Sequence, residues 1–139
     1  MSSVKPELIF PDELLKAPGF GQIVVVPPCR LAFIAGQTAY DKNFQLRGET
    51  LEEQARATFG NLKIALAAIG AEPEWVVSST VYIVGMSVEK ARVFSQVMSE
   101  VLDGGPFPPH AMTMVGSSGF PDPRQLIEMS ATAAIPMSG

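Results

Sequence analysis

Apolar residues recur along this chain at two periods, and each switch from one to the other marks a change of element. Leu51, Ala55, Phe59, Leu62, Leu66 and Ile69 fall at helical spacing. Thr50 and Glu53 stand ahead of them as a capping box, and Gly70 supplies the stop. The spacing predicts a helix of about 19 residues, roughly 28 Å long. Ser87 caps a second stripe of Val88, Ala91, Phe94, Val97, Met98, Val101 and Leu102, which runs to Gly104-Gly105. Elsewhere the period is two. Ile127, Met129, Ala131, Ala133 and Ile135 form one side of a strand, and Leu126, Glu128, Ser130, Thr132 and Ala134 form the other. Further strands are predicted over 76–84, after a turn at Pro73-Glu74-Trp75, and from His110 to Val115. Ile23–Val26 and Arg30–Ala35, separated by Pro27-Pro28, read as a hairpin. Residues 1–17 read as an N-terminal arm, with a short strand at Leu8-Ile9-Phe10.

The order β-β-α-β-α-β-β indicates an α+β fold in a single domain over 1–139. Its two helices pack most simply on one face of a mixed, mostly antiparallel sheet. Its two helix–strand segments hint at a duplicated βα unit. The other sheet face is then uncovered, although it carries Leu126, Ala134 and one side of the 76–84 strand. A half-apolar open face of that kind suits a second copy of the chain, so a homo-oligomer is expected. Gly36, directly after an apolar strand, marks a bulge or a close backbone approach.

Composition narrows the function classes. The 139 residues are 47% hydrophobic and 17% charged, which excludes a disordered chain. The formal charge of −4 and the scattered Lys and Arg speak against nucleic acid as a partner. No apolar run reaches the ~20 residues of a membrane span, and no signal-peptide region opens the chain, so a cytoplasmic location is expected. One cysteine, Cys29, allows no internal disulfide, and one histidine with scattered acids offers no metal cluster. Neither metal nor other cofactor is expected.

Candidate chemistry gathers near the C-terminal strands. Glu128 places a carboxylate mid-strand on a partly apolar face, where burial costs several kcal/mol unless the group is paired or protonated. Its functional reading is a general acid or water-orienting group; its bland reading is a carboxylate bonded to backbone amides at a subunit contact. His110 is a candidate acid–base or donor group. Strict alternation, however, sends it to the side opposite Ala111 and Thr113. Arg30 and Arg124 flank strands and read as solvated ends or substitute anion binders. Met112, Met114 and Met129 read as filler. Gly116-Ser117-Ser118-Gly119 lacks the Lys of a phosphate loop and reads as a turn.

Pro18–Val25, Phe33-Ile34-Ala35-Gly36-Gln37-Thr38, Glu53-Gln54-Ala55-Arg56 through Asn61-Leu62, Val81-Tyr82-Ile83, Pro108-Pro109 and Leu126-Ile127-Glu128 stand in an order and spacing that resembles the Rid/YjgF family. These are the reactive-intermediate (enamine/imine) deaminases, also labelled endoribonuclease L-PSP. The resemblance, from about Pro18 to Ile135, implies a chorismate-mutase-like fold, a homotrimer whose sheets line a central barrel, and clefts between subunits that take a small-molecule substrate. It places Phe20 where other members have tyrosine, and Ala35-Gly36-Gln37 where they have Ser-Gly-Gln. Thr113 and Ser95 match cleft positions, and Glu128 matches the family's acid or water-positioning glutamate. In deaminating members Pro-Ala-Arg-Ser sets an arginine in the cleft to clamp a substrate carboxylate. Here Pro109-His110-Ala111-Met112 sets Ala111 there, which implies a larger, less cationic cleft and a more neutral or bulkier substrate.

Overall fold

Thr50 starts the first helix as its capping box dictates. In the computed structural model, which describes residues 5–137, the Thr50 hydroxyl accepts from the Glu53 amide at 3.2 Å. The Glu53 carboxylate in return accepts from the Thr50 and Glu49 amides at 3.1 and 3.0 Å. The helix, α1, spans Leu51–Ala68 and buries Ala55, Phe59, Leu62 and Leu66. A second helix, α2, spans Val88–Met98, begins with Ser87 accepting from the Lys90 amide, and buries Phe94, Val97 and Met98. Phe59 stacks on Phe94 with centroids 5.6 Å apart and lies 5.5 Å from Phe107. Each such ring contributes about 1.5–3 kcal/mol by leaving water.

Among the described residues seven strands surround the helices in sequence: β1 (Glu7–Ile9), β2 (Phe20–Gly21), β3 (Ile23–Val25), β4 (Arg30–Gln37), β5 (Val76–Val84), β6 (His110–Ser117) and β7 (Ile127–Ile135). Five of them form one sheet in the order β2-β6-β5-β7-β4, while β1 and β3 pair apart from it. β1–β3, β4–β7 and β5–β7 are antiparallel; β2–β6 and β5–β6 are parallel. Because β7 runs antiparallel to both β4 and β5, those two strands run the same way. The steps β4-α1-β5 and β5-α2-β6 are therefore two like-handed βα segments, with β7 inserted between the strands of the first. Both helices cover one sheet face, where Val81, Ile83, Ile127, Met129, Ala131 and Ala133 join the helix residues in one core.

Three sequence expectations change. β3 does not pair with β4; its partner is β1, in the register Leu8↔Val24. Pro27-Pro28 explains this, since two residues with fixed φ and no N–H cannot form the tight primed turn of a short hairpin. α2 ends at Met98, six residues before Gly104, and Val101 and Leu102 pack on the core from a turn in which Asp103 and Gly104 take φ of 52° and 88°. Its first stripe residue, Val88, is 71% exposed. Ala134, placed by alternation on the uncovered side, is fully buried. It lies beside the bulge that β5 makes between Val76 and Ser78. Leu31 and Phe33 on β4 carry the apolar part of the open face instead, Phe33 being 80% exposed.

Candidate functional site

Glu128 sits at the start of β7, across from Tyr82 on β5, and faces the side of the sheet that no helix covers. β4 departs from its register between Ile34 and Gln37 as it passes this point, so Gly36 lies in the irregular stretch. A Cβ on Gly36 would stand 2.6 Å from Cδ and 2.7 Å from Cγ of Glu128, and closer still to Oε2. The glycine is thus both alternatives read from the sequence, a bulge and a close approach, and Ala35 precedes it on the same strand. On the other side of the carboxyl, the Gln125 amide Nε2 donates to Glu128 Oε1 at 3.3 Å. The half-buried carboxyl is held between a backbone and an amide.

Two loops are tied together just ahead of β7. Tyr40 donates its hydroxyl to Asp122 at 2.8 Å, joining the loop after β4 to the loop before β7. Arg124 also binds Asp122, through Nε at 3.1 Å and a terminal nitrogen at 2.8 Å. The Arg124 guanidinium, with help from the Tyr40 hydroxyl, holds the Asp122 carboxyl well below the usual carboxylate range. Arg124 is therefore committed to a neighbour in its own loop. Asn61 donates to the carbonyls of Thr38 and Tyr40, each at 2.8 Å, and fixes the first loop to α1.

Other candidate residues gather at the opposite edge of the sheet. Phe20 on β2 is in register with His110, and Gly21 with Ala111. Ser95 is exposed on α2 and lines a groove of about 110 Å³ with Pro18, Gly19 and Pro106, next to the entry of β2. Ala111 faces the open side in register with Ser78, whereas Glu128 is in register with Tyr82. Four residues at ~3.3 Å and two strand spacings at ~4.8 Å separate them by about 16 Å. Ala111 and Glu128 of one chain therefore do not share a site. Thr113, exposed between them, continues a row of hydroxyls through Thr80 to Ser130.

His110 obeys alternation from the first residue of β6. It points into the core, 1% exposed, against the edge of Phe107 at 5.6 Å and away from Glu128. Its Nδ1 lies 3.0 Å from the Pro108 carbonyl, which can only accept, so Nδ1 carries the hydrogen. Nε2 then accepts from the Ser79 hydroxyl at 2.7 Å. Both ring nitrogens are satisfied within the core, and the arrangement is that of a structural histidine. Burial lowers its pKa below the ordinary 6.5. The unfolded chain then binds a proton that the folded chain refuses, so the contribution of neutral His110 is full above about pH 6.5 and is lost as the pH falls toward the folded value. Urea unfolding between pH 7 and 5 should show stability falling by up to about 1.4 kcal/mol per pH unit. That dependence should flatten by about one proton in His110→Gln.

Gly36 carries its own expectation. The atoms that a Cβ would meet all belong to the Glu128 side chain and none to backbone, so Gly36→Ala should cost about 1 kcal/mol of stability as that side chain shifts. The carboxyl must swing away, however, and a misplacement near 1 Å costs up to about 100-fold in rate. Any turnover that depends on Glu128 should fall at least about tenfold. Comparison of rate and melting temperature checks the split.

Of the remaining candidates, Met112 and Met129 are buried filler and Met114 is partly buried against the core. Arg30 is exposed at the far end of β4, opposite Ile135. Cys29 is a half-buried free thiol. Among the described residues no three His, Cys, Asp or Glu side chains form a metal-binding group, and no helix is long and apolar enough to cross a membrane. The sequence reading missed Gln125 and Gln54. Each is a fully or nearly buried amide, Gln125 on the core parity of β7 and Gln54 inside the apolar stripe of α1, and that misplaced polarity was the available signal.

The family model described as Endoribonuclease L-PSP matches residues 13–135. No curated protein matches the chain. Among solved structures, a Rid-family protein from Yersinia pestis is 30% identical over 94% of this chain and 99% of its own, with a TM-score of 0.84. RidA from the Antarctic bacterium Psychrobacter sp. is 24% identical over 93% and 99%, with a TM-score of 0.64. A member of the YjgF/YER057c/UK114 family from Mycobacterium tuberculosis is 24% identical over 85% and 88%, with a TM-score of 0.61. The last two speak to the fold alone.

Proposed function

Because the chain belongs to the endoribonuclease L-PSP family, the Rid/YjgF group, we propose that it is a homotrimer acting on a small imine, enamine or enol compound in clefts between subunits, with Glu128 as the acid or water-orienting group. The observation that carries this reading is the Glu128 carboxyl held between Gly36 and Gln125 on an uncovered sheet face. A solvated surface carboxylate needs no such fixture. A positioned acid does.

The two groups of candidate residues support the intersubunit part. Glu128 and Gly36 lie toward the β4 edge of the sheet, and Phe20, Ala111 and Ser95 toward the β2 edge. Head-to-tail contact between copies would bring one group against the other, and a rotation of one third of a turn per contact would close three copies into a ring. In the resulting cleft an enamine carbon takes the proton from the Glu128 carboxyl, forming a C–H bond and an iminium ion. Water then adds to the iminium carbon and returns a proton to the carboxylate. Collapse of the carbinolamine releases ammonia and a carbonyl product. An enol would take the proton at carbon in the same way and return its O–H proton to the carboxylate, emerging as its keto form. Ala111 offers no cation for an anionic substrate, so the reading favours a neutral one.

The test is ammonia release from freshly generated 2-iminopropionate and from its neutral amide, 2-iminopropanamide, together with a light-scattering mass. Faster release from the amide than from the anion, by a species with the mass of three chains, is the expected result. A monomer that accelerates neither would overturn the proposal.

A further inference from the structure

We propose that Gln125 is the positioning residue for Glu128, and that it assigns the acidic proton to Oε2; this rests on the reading of Glu128 given above. Gln125 is 5% exposed, and its Nε2 donates to two acceptors, the Ile127 carbonyl at 3.2 Å and Glu128 Oε1 at 3.3 Å. With an acceptor at both contacts, the amide has one workable orientation, since a flipped amide would set oxygen against oxygen. Oε1 receives this N–H whether the carboxyl is ionised or neutral. The proton of the neutral acid therefore resides on Oε2, the oxygen that lies against Gly36. Gly36 has no side chain, so that oxygen is not covered by a Cβ from β4. The longer of the two bonds has the length usual for a catalytic contact before substrate tightens it.

Gln125 is itself held from both sides. Gln54, fully buried in the first turns of α1, donates to the carbonyls of Arg124 at 2.9 Å and Gly48 at 3.2 Å, and accepts from the Leu126 amide at 2.8 Å. The residues before and after Gln125 are thus pinned to a helix whose start is fixed by its capping box. A side chain placed on so anchored a segment can fix its neighbour's rotamer, which is what a positioned acid needs from its support.

The experiment has a spectroscopic arm and a kinetic arm. In the ¹⁵N-labelled full chain, the Gln125 side-chain amide resonances should move as the pH is lowered, and in Glu128→Gln that movement should vanish. Gln125→Met, which keeps the length of the side chain but has no donor, should lower kcat about tenfold on 2-iminopropanamide or 2-iminopropionate, with KM changed less than twofold and the melting temperature lowered by only a few degrees, so that the chain stays folded under assay. An unchanged pH response in Glu128→Gln overturns the contact, whatever the kinetics. Full kcat in Gln125→Met while Glu128→Gln is inactive overturns the positioning role and leaves the Glu128 reading standing. Full activity in Glu128→Gln removes the acid role itself, and with it this proposal.

Discussion

Glu128→Gln should lower turnover of imine or enamine probes by about 10²–10⁴-fold, the range expected when a positioned general acid is lost. The substitution is nearly isosteric, and its effects can be followed atom by atom. The new amide oxygen can still accept from Gln125 Nε2, and the new amide nitrogen takes the place of Oε2 beside Gly36. Packing on the open face is retained, so stability should stay within about 0.5 kcal/mol. What disappears is the ability to give up and recover a proton. Parallel measurement of kcat, KM and melting temperature separates this from a loss of fold. A variant that binds but does not turn over supports acid catalysis. A variant as fast as the wild type would instead make the cleft a binding site whose glutamate is a passive wall.

How much of this arrangement is legible in the sequence depends on whether local pattern or long-range pairing decides it. The capping box of Thr50 and Glu53, the Ser87 cap and the alternation of β7 as far as Ala133 are local, and each stands where the pattern places it. Parity on β6 opposed His110 to Ala111, but a strand start after two prolines left its orientation open between core and cleft, and it is the packing against Phe107 that puts it in the core. Strand partners are another matter. Nothing within 23–37 indicates that β3 will pair with residues of the N-terminal arm while β4 pairs with the last strand. Those choices are made by chain segments far apart in sequence. The same holds at the site. Glu128 and Gly36 could be singled out individually, one as a carboxylate mid-strand and the other as a glycine after an apolar run. Their contact needed the register of β4 against β7, and the role of Gln125 needed a turn geometry that alternation does not describe. Alternation put Ala134 on the open side, in register with Leu31, but it is buried there, and Leu31 and Phe33 carry the exposed apolar surface.

Ala111→Arg should convert the substrate preference. Ala111 is half-buried on the open side of β6, in register with Gly21 on one neighbour and Ser78 on the other. Neither neighbour is bulky, but Leu8 of β1 lies over Gly21, so an arginine there extends on the Ser78 side. A guanidinium could meet both oxygens of a substrate carboxylate, and two such charge-assisted bonds, at ~1.5 kcal/mol each in a partly solvated cleft, amount to ~3 kcal/mol. The ratio of kcat/KM for 2-iminopropionate to that for 2-iminopropanamide should therefore rise about 100-fold, by the usual ~1.4 kcal/mol for each factor of ten. Ala111→Lys should achieve less, because an ammonium is a point charge without the planar fork. The effect should also depend on Glu128, although the two residues stand about 16 Å apart within one chain. In the double variant Ala111→Arg, Glu128→Gln, affinity for the anion should be gained and turnover should not follow. A rise in the ratio that survives in a monomeric species would contradict a cleft shared between subunits. No rise at all would mean that position 111 does not face the substrate, and that the neutrality of this cleft has another source.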